Sequence, residues 1–314
     1  MVKVFIDGHH GTTGLRIHDR LKNRNDIELI TISDDLRKDP NEIKKCINAS
    51  DITFLCLPDD AAGEAVSLVE NENTVIIDTS TLNRCNDNWA YGFPELGTEF
   101  YNKIKNSKRI ANPGCYATGF ISLAYPLVHL GIVDSNYPFS ITGISGYSGA
   151  GNKGIKEYED LNRDQKYEAP RLYAMGQSHK HLAEMQKIVG LDEKPIFNPF
   201  VCDYYSGMIV NISLYKNKLK KNLSLEEIHK SYDEFYKGKD LVKVAPFNPK
   251  GTESGYLEAN KLTGKDYLEI YISGNEERID LTAVLDNLGK GASGAAIESM
   301  NIVLGLDPKT GLNL

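Results

Sequence analysis

Long apolar runs are missing from this chain. Nowhere does it approach the roughly 18 consecutive apolar residues that a bilayer-spanning helix needs. Its opening residues, MVKVFID, have no long apolar core and no small-residue cleavage site, so a secretory leader is not expected and a cytoplasmic location is. A basic excess is lacking too. The 36 Lys and Arg against 43 Asp and Glu leave a net charge of −7, which argues against nucleic acid as the main partner. Paired cysteines are absent: Cys46, Cys56, Cys85, Cys115 and Cys202 are odd in number and widely spaced, with no zinc or redox spacing among them. No metal site is expected. Internal repeats, low-complexity tracts and flexible linkers are also missing.

What is present is 314 residues of ordinary globular composition, long enough for two domains. The first part alternates strand and helix. Residues 2–6, 27–32, 52–57 and 74–77 read as strands, with helices over 12–21, from Asp39-Pro40-Asn41-Glu42, and over 58–69. Such alternation implies βαβ units and a parallel sheet. Beyond residue 137 the texture changes to successive strands at 139–144, 204–215, 241–245, 267–272 and 279–285. The last two are joined by the hairpin loop Ser273 to Glu277, and Ser224-Leu225-Glu226-Glu227 is a capping box opening a helix. That succession suggests an antiparallel or mixed sheet covered on one face. Residues 291–304 read as a buried helix.

Three segments carry chemistry. Gly8-His9-His10-Gly11-Thr12-Thr13-Gly14 joins the first strand to the first helix. Glycines there let the backbone turn sharply and approach a pyrophosphate resting on the helix N-terminus, although the spacing is GxxGxxG and an ordinary turn is the alternative. Asn112-Pro113-Gly114-Cys115 puts a thiol at the start of an apolar helical pattern, which Pro126 should kink. Unpaired N–H groups and the helix dipole favour a thiolate there, the form that attacks carbonyl carbon; a small buried cysteine is the other reading. His179-Lys180-His181 opens a helix capped by Ser178. Residues two apart on a helix diverge, so both rings reach one point only if the first turn is irregular. Glu184 is placed to orient His181, and solvated histidines at a helix end are the alternative.

These segments, with Tyr91-Gly92-Phe93-Pro94-Glu95-Leu96, Ser145-Gly146-Tyr147-Ser148-Gly149-Ala150-Gly151 and Asp286-Asn287-Leu288-Gly289-Lys290-Gly291, resemble the short form of the N-acetyl-gamma-glutamyl-phosphate reductase family, in order and across nearly the whole chain. The resemblance implies an α/β architecture. A Rossmann-type dinucleotide domain (residues 1–115 plus 289–314) would stand beside an α+β catalytic and oligomerisation domain (116–288). It implies NADPH-dependent reduction of N-acetyl-glutamyl phosphate, a small acyl phosphate, to the semialdehyde in arginine synthesis by a homo-oligomer, dimer or tetramer. By the same resemblance Cys115 is the nucleophile, and the His179/His181 segment, with Glu184, supplies the base. Gly8, Gly11, Thr12, Thr13, Gly14, Ser33, Arg37, Ser148, Gly149 and Asn287 hold the cofactor, and Arg84, Asn112 and Ser145 hold the substrate. The backbone N–H groups around Cys115 and Ser148-Gly149 are expected to form the oxyanion site.

On cofactor choice the residues pull two ways. Asp34 and Asp35 after the second strand suit the 2′-OH of NAD, whereas Arg37 and Lys38 can reach a 2′-phosphate. The rival readings are an aspartate-semialdehyde-dehydrogenase-like reductase, a reductase of a carrier-protein-linked substrate, a non-catalytic dinucleotide sensor and a cysteine hydrolase.

Overall fold

The computed structural model describes residues 1–314, and the chain divides into two units. The first comprises Met1–Gly114 and Ala292–Leu312; the second comprises Cys115–Gly291 and Asn313–Leu314.

The first unit is built on strands buried on both faces. It contains β1 (Val2–Asp7), α1 (Thr12–Leu21), β2 (Ile27–Ile30), α2 (Pro40–Ala49), β3 (Ile52–Leu55) and α3 (Asp59–Ser67), then β4 (Val75–Asp78), β5 (Ala90–Tyr91), α4 (Thr98–Asn106) and β6 (Arg109–Ala111). All pairings are parallel, in the order β2-β1-β3-β4-β6-β5. Alternate residues of β1 feed opposite layers, as the two-residue period of a strand requires. Val4 and Ile6 pack with Ile17, Leu21, Ile297 and Met300, while Phe5 packs with Ile47, Leu55 and Ala65. Asp39 accepts from the Asn41 N–H at 2.8 Å and Pro40 takes the first helical position, so α2 starts where its sequence indicates. The strand order reverses direction at β1 and β3, and the carboxyl ends of those two strands flank the crevice where such sheets bind ligands.

The second unit contains α5 (Cys115–His129), β7 (Ser140–Gly146), α6 (Gly151–Glu159), β8 (Arg171–Leu172), α7 (His181–Val189), β9 (Ile196–Cys202) and β10 (Met208–Tyr215). It continues with α8 (Leu225–Tyr236), β11 (Val242–Val244), β12 (Leu268–Gly274) and β13 (Arg278–Leu285). The sheet order is β11-β12-β13-β10-β7-β9-β8. It is mixed: β7 with β9 and β11 with β12 run parallel, and the other pairs are antiparallel. The capping box at Ser224 and Glu227 forms as expected. Six elements escaped the sequence pattern: β9, which carries Pro199, the short β5, β6 and β8, and the helices α4 and α6.

Pro126 lies inside α5, which runs unbroken through it. Proline has no N–H to give the Ser122 carbonyl four residues earlier. The Tyr236 hydroxyl donates to that carbonyl instead, at 2.8 Å, and the Tyr232 hydroxyl donates to the carbonyl of Leu123. Two tyrosines of α8 thus supply donors where the proline disturbs the ladder. The C-terminal pattern is also subdivided: a wide π-helical turn over Gly289–Ser293 precedes α9 (Gly294–Val303), whose Ala296, Ile297 and Met300 complete the first unit's core. No helix is long and apolar enough to cross a membrane.

Candidate active site

Cys115 is the first residue of α5, a helix with no acidic residue in its first turn, and it is half-buried. It lines a cavity of about 290 Å³ together with Tyr116, Ser145, Tyr173, His179 and Lys180. Every lining residue belongs to the second unit. Two phenols register the nearness of the sulfur. Burial pushes Tyr173 up to about 12, and a charge on Cys115 adds to the rise. Tyr173 keeps 36% of its surface, so that burial falls on its hydroxyl end. Tyr116, hydrogen-bonded to Tyr173, is raised further, by burial first and then by the charges of Tyr173 and Cys115. Burial raises the thiols of Cys46 and Cys202 and takes Cys56 to about 12, which keeps them protonated at neutral pH.

Glycine lets the chain close on this cysteine. A Cβ on Gly291, in the π-helical turn, would lie 2.8 Å from the Cβ of Cys115 and 3.0 Å from the Asp286 carbonyl oxygen. Gly291 stands in the Asp286-Asn287-Leu288-Gly289-Lys290-Gly291 segment, but its steric role has no signal in the sequence.

The histidine segment departs from the expected geometry. Ser178 does not cap α7; the helix begins at His181, with Lys180 at its N-cap position and no side-chain cap. His179 therefore precedes the helix, and the two rings that a regular helix would separate sit edge to face with centroids 4.7 Å apart. The backbone N–H of His181 donates to His179 Nδ1 at 3.1 Å. In a neutral imidazole the proton then sits on Nε2. His179 lines the cavity, whereas His181 is buried behind it beside Tyr116. Glu184 is buried one turn further along α7.

The turn that carries His179 is strained, since Ala174 and Gln177 have φ of 51° and 53°. Gln177 secures it. Its amide donates to the Phe197 carbonyl and accepts from the Phe197 N–H, both at 2.9 Å, as a neighbouring strand would. Sequence reasoning missed Gln177, whose single amide in a loop gives no signal.

The Ser145–Gly151 segment is held from behind. The N–H groups of Gly146, Tyr147 and Ser148 donate to the carbonyls of Gly207, Tyr204 and Tyr205 at 2.9–3.0 Å. The Ser148 N–H is thus engaged within the fold, which corrects the expectation that it would serve an oxyanion. Asn287, buried beside it, donates to Ser148 Oγ at 2.9 Å and accepts from the Gly207 N–H at 2.9 Å. Its amide ties the 145–150 turn to Gly207, and Ser145, Gly149 and Ala150 of that turn reach the cavity.

In the first unit, Arg84 is buried and donates to the carbonyls of Asn112 and Thr79, each at 2.9 Å. Asn112 donates to the Ala292 carbonyl at 3.0 Å. Both side chains thereby support the Asn-Pro-Gly turn that leads into Cys115.

The glycine turn has the form a dinucleotide phosphate requires. Gly8 has φ of +85°, and a side chain there would collide with the Cys56 carbonyl. One at Gly14 would collide with Gly8. Helix α1 starts at Thr12 and Thr13 with no side-chain cap and no acidic residue in its first turn, which leaves its N–H groups for an anion. A cavity of about 550 Å³ in the same unit is lined by Asp7, Ile43, Leu57, Glu64, Arg37 and Lys38, and by none of Gly8 to Gly14. Asp7 is pushed up to about 6 by burial. Ser33 stands outside this cavity, exposed and hydrogen-bonded to Asp35. A parallel sheet, a glycine turn that excludes side chains and the uncapped N–H groups of α1 together fit a dinucleotide.

A fold of this kind and a helix-terminal cysteine in one chain are the features of a semialdehyde dehydrogenase. Two family models match accordingly: "Semialdehyde dehydrogenase, NAD binding domain" over residues 12–104 and "Semialdehyde dehydrogenase, dimerisation domain" over 115–287. The aspartate semialdehyde dehydrogenase of Francisella tularensis shares the fold, with a TM-score of 0.73 at 17% identity over 97% of this chain and 100% of that one. At the level of sequence, the chain is 43% identical to N-acetyl-gamma-glutamyl-phosphate reductase 2 of Nostoc sp. over 99% of both chains. It is 44% identical to N-acetyl-gamma-glutamyl-phosphate reductase of Brucella ovis over 96% of this chain and 99% of that one. The chain belongs to the N-acetyl-gamma-glutamyl-phosphate reductase family.

Proposed function

We propose that this protein is a cytoplasmic enzyme of arginine biosynthesis, a dimer or tetramer that reduces N-acetyl-gamma-glutamyl phosphate to N-acetyl-glutamate semialdehyde with NADPH. The observation that carries the reading is Cys115 at the N-terminus of α5, in one cavity with His179 and Lys180.

The Cys115 thiolate attacks the acyl carbon. The bond from that carbon to the phosphate oxygen breaks, and inorganic phosphate leaves with the electron pair, giving a thioester. His179, which carries its proton on Nε2, donates to the oxygen that gains charge, and His181 positions it through its backbone N–H. Lys180 supplies a cation for the phosphate. A bound nicotinamide supplies the hydride, for which Gly8, Gly11, Thr12, Thr13 and Gly14 would hold the phosphates and Arg37 or Lys38 the 2′-phosphate. After reduction of the thioester the carbon–sulfur bond breaks, releasing the aldehyde and restoring the thiolate. Sulfur suits both halves, being a strong nucleophile and a good leaving group.

The test is phosphate-dependent reduction of NADP by N-acetyl-glutamate semialdehyde, run in reverse, for wild type and Cys115→Ser. Turnover lost in Cys115→Ser, but kept in Cys46→Ser, Cys56→Ser, Cys85→Ser and Cys202→Ser, is the expected result. An active Cys115→Ser protein would refute the thioester route.

A further inference from the structure

The glycine turn carries two histidines that the dinucleotide reading leaves without a role. His9 and His10 stack at a centroid distance of 4.0 Å, and His10 Nε2 lies 2.8 Å from Asp34 Oδ1. Topology causes the convergence. Strands β1 and β2 are parallel neighbours, so the loops at their carboxyl ends, one with the histidines and one with Asp34, emerge side by side. One donor atom from each of the three side chains falls within 4.8 Å of the others.

We propose that His9, His10 and Asp34 form a binding site for a first-row divalent cation of the zinc type. Two imidazole nitrogens with one carboxylate oxygen select zinc, nickel or copper over magnesium or calcium, which prefer all-oxygen shells. Tetrahedral zinc, with bonds of about 2.1 Å, keeps its ligand atoms about 3.4 Å apart. The His10–Asp34 pair then opens by roughly 0.6 Å and the other pairs draw in by at most about 1.4 Å to reach that spacing. Side chains that are 47% and 78% exposed make such rotations without disturbing the core. Three protein ligands leave a fourth position open to water, as in an accessible zinc site.

The site stands on the turn assigned above to the dinucleotide phosphates, so metal and dinucleotide exclude one another. This second half rests on the proposed cofactor reading. Zinc at this position acts as a brake on the reductase, set by the free metal level.

Calorimetric titration of the full dinucleotide-free chain with ZnCl2 tests the first half, using wild type, His9→Asn, His10→Asn and Asp34→Asn. Thermal melting confirms that each variant folds. We expect one saturable site in the wild type, weakened about tenfold or more in each variant, since even outer-shell changes cost that much. No saturable binding, or binding unchanged in all three variants, overturns the site. A repeat with saturating NADP, corrected for zinc held by free dinucleotide, should abolish binding. Zinc that binds equally well with NADP present overturns the exclusion and counts against phosphates on this turn, while the metal site itself stands.

Discussion

Replacing Gly291 by alanine tests how the fold aims its nucleophile. The new Cβ would sit 2.8 Å from the Cβ of Cys115, whereas unstrained carbon contacts lie at about 3.5–4.0 Å, so about 1 Å of movement is forced. The Asp286 carbonyl, 3.0 Å from the same point, crowds the new Cβ as well. Gly291 has no left-handed φ, so the backbone itself tolerates alanine and the effect is purely steric. Overpacking of this kind costs about 1–3 kcal/mol, well within the stability of a folded domain. The catalytic cost is larger in effect, because a displacement of about 1 Å from the attack geometry lowers turnover by about 10²-fold. The assay is kcat in the reverse direction, with the rate of Cys115 alkylation by iodoacetamide and the urea midpoint measured on the same preparation. A folded Gly291→Ala protein with wild-type turnover would show that the contact does not set the position of the sulfur.

Three further outcomes follow from the same geometry. His179→Asn should lower kcat by about 10²-fold or more, as expected for loss of a donor aimed at the oxyanion, and more than His181→Asn, whose backbone N–H remains; equal wild-type rates in both variants would reduce the pair to a helix end. Tyr236→Phe should destabilise by about 1–3 kcal/mol through the orphaned Ser122 carbonyl. That loss should shrink on a Pro126→Ala background, where a helical N–H returns, and an unchanged loss in this double-mutant cycle refutes the account of the proline. Arg37→Ala and Lys38→Ala should lower kcat/KM for NADPH relative to NADH; an unchanged ratio in both places the 2′-phosphate contact elsewhere.

The alternation of strands and helices, the Asp39 and Ser224 caps, the glycine turn and Cys115 before an apolar helix could all be read along the chain. Each depends on residues within a few positions of one another, where local geometry decides. The histidine pair could be read only as a choice. The helical period set the rings apart, and it took the strained turn at Ala174 and Gln177, pinned to β9 by a side-chain amide, to bring His179 and His181 together. Likewise Pro126 foretold a kink, because the donors that satisfy its helix come from tyrosines more than a hundred residues away. Asn287 and Ser148 are resolved the same way: both are motif residues, yet their polar atoms or N–H groups are engaged by a neighbouring segment whose proximity no spacing records. Local sequence determined the long, strongly patterned elements and which residue types carry chemistry. Tertiary packing decided which of them face the cavity, because hydrogen-bond partners and steric limits come from parts of the chain that only folding brings near.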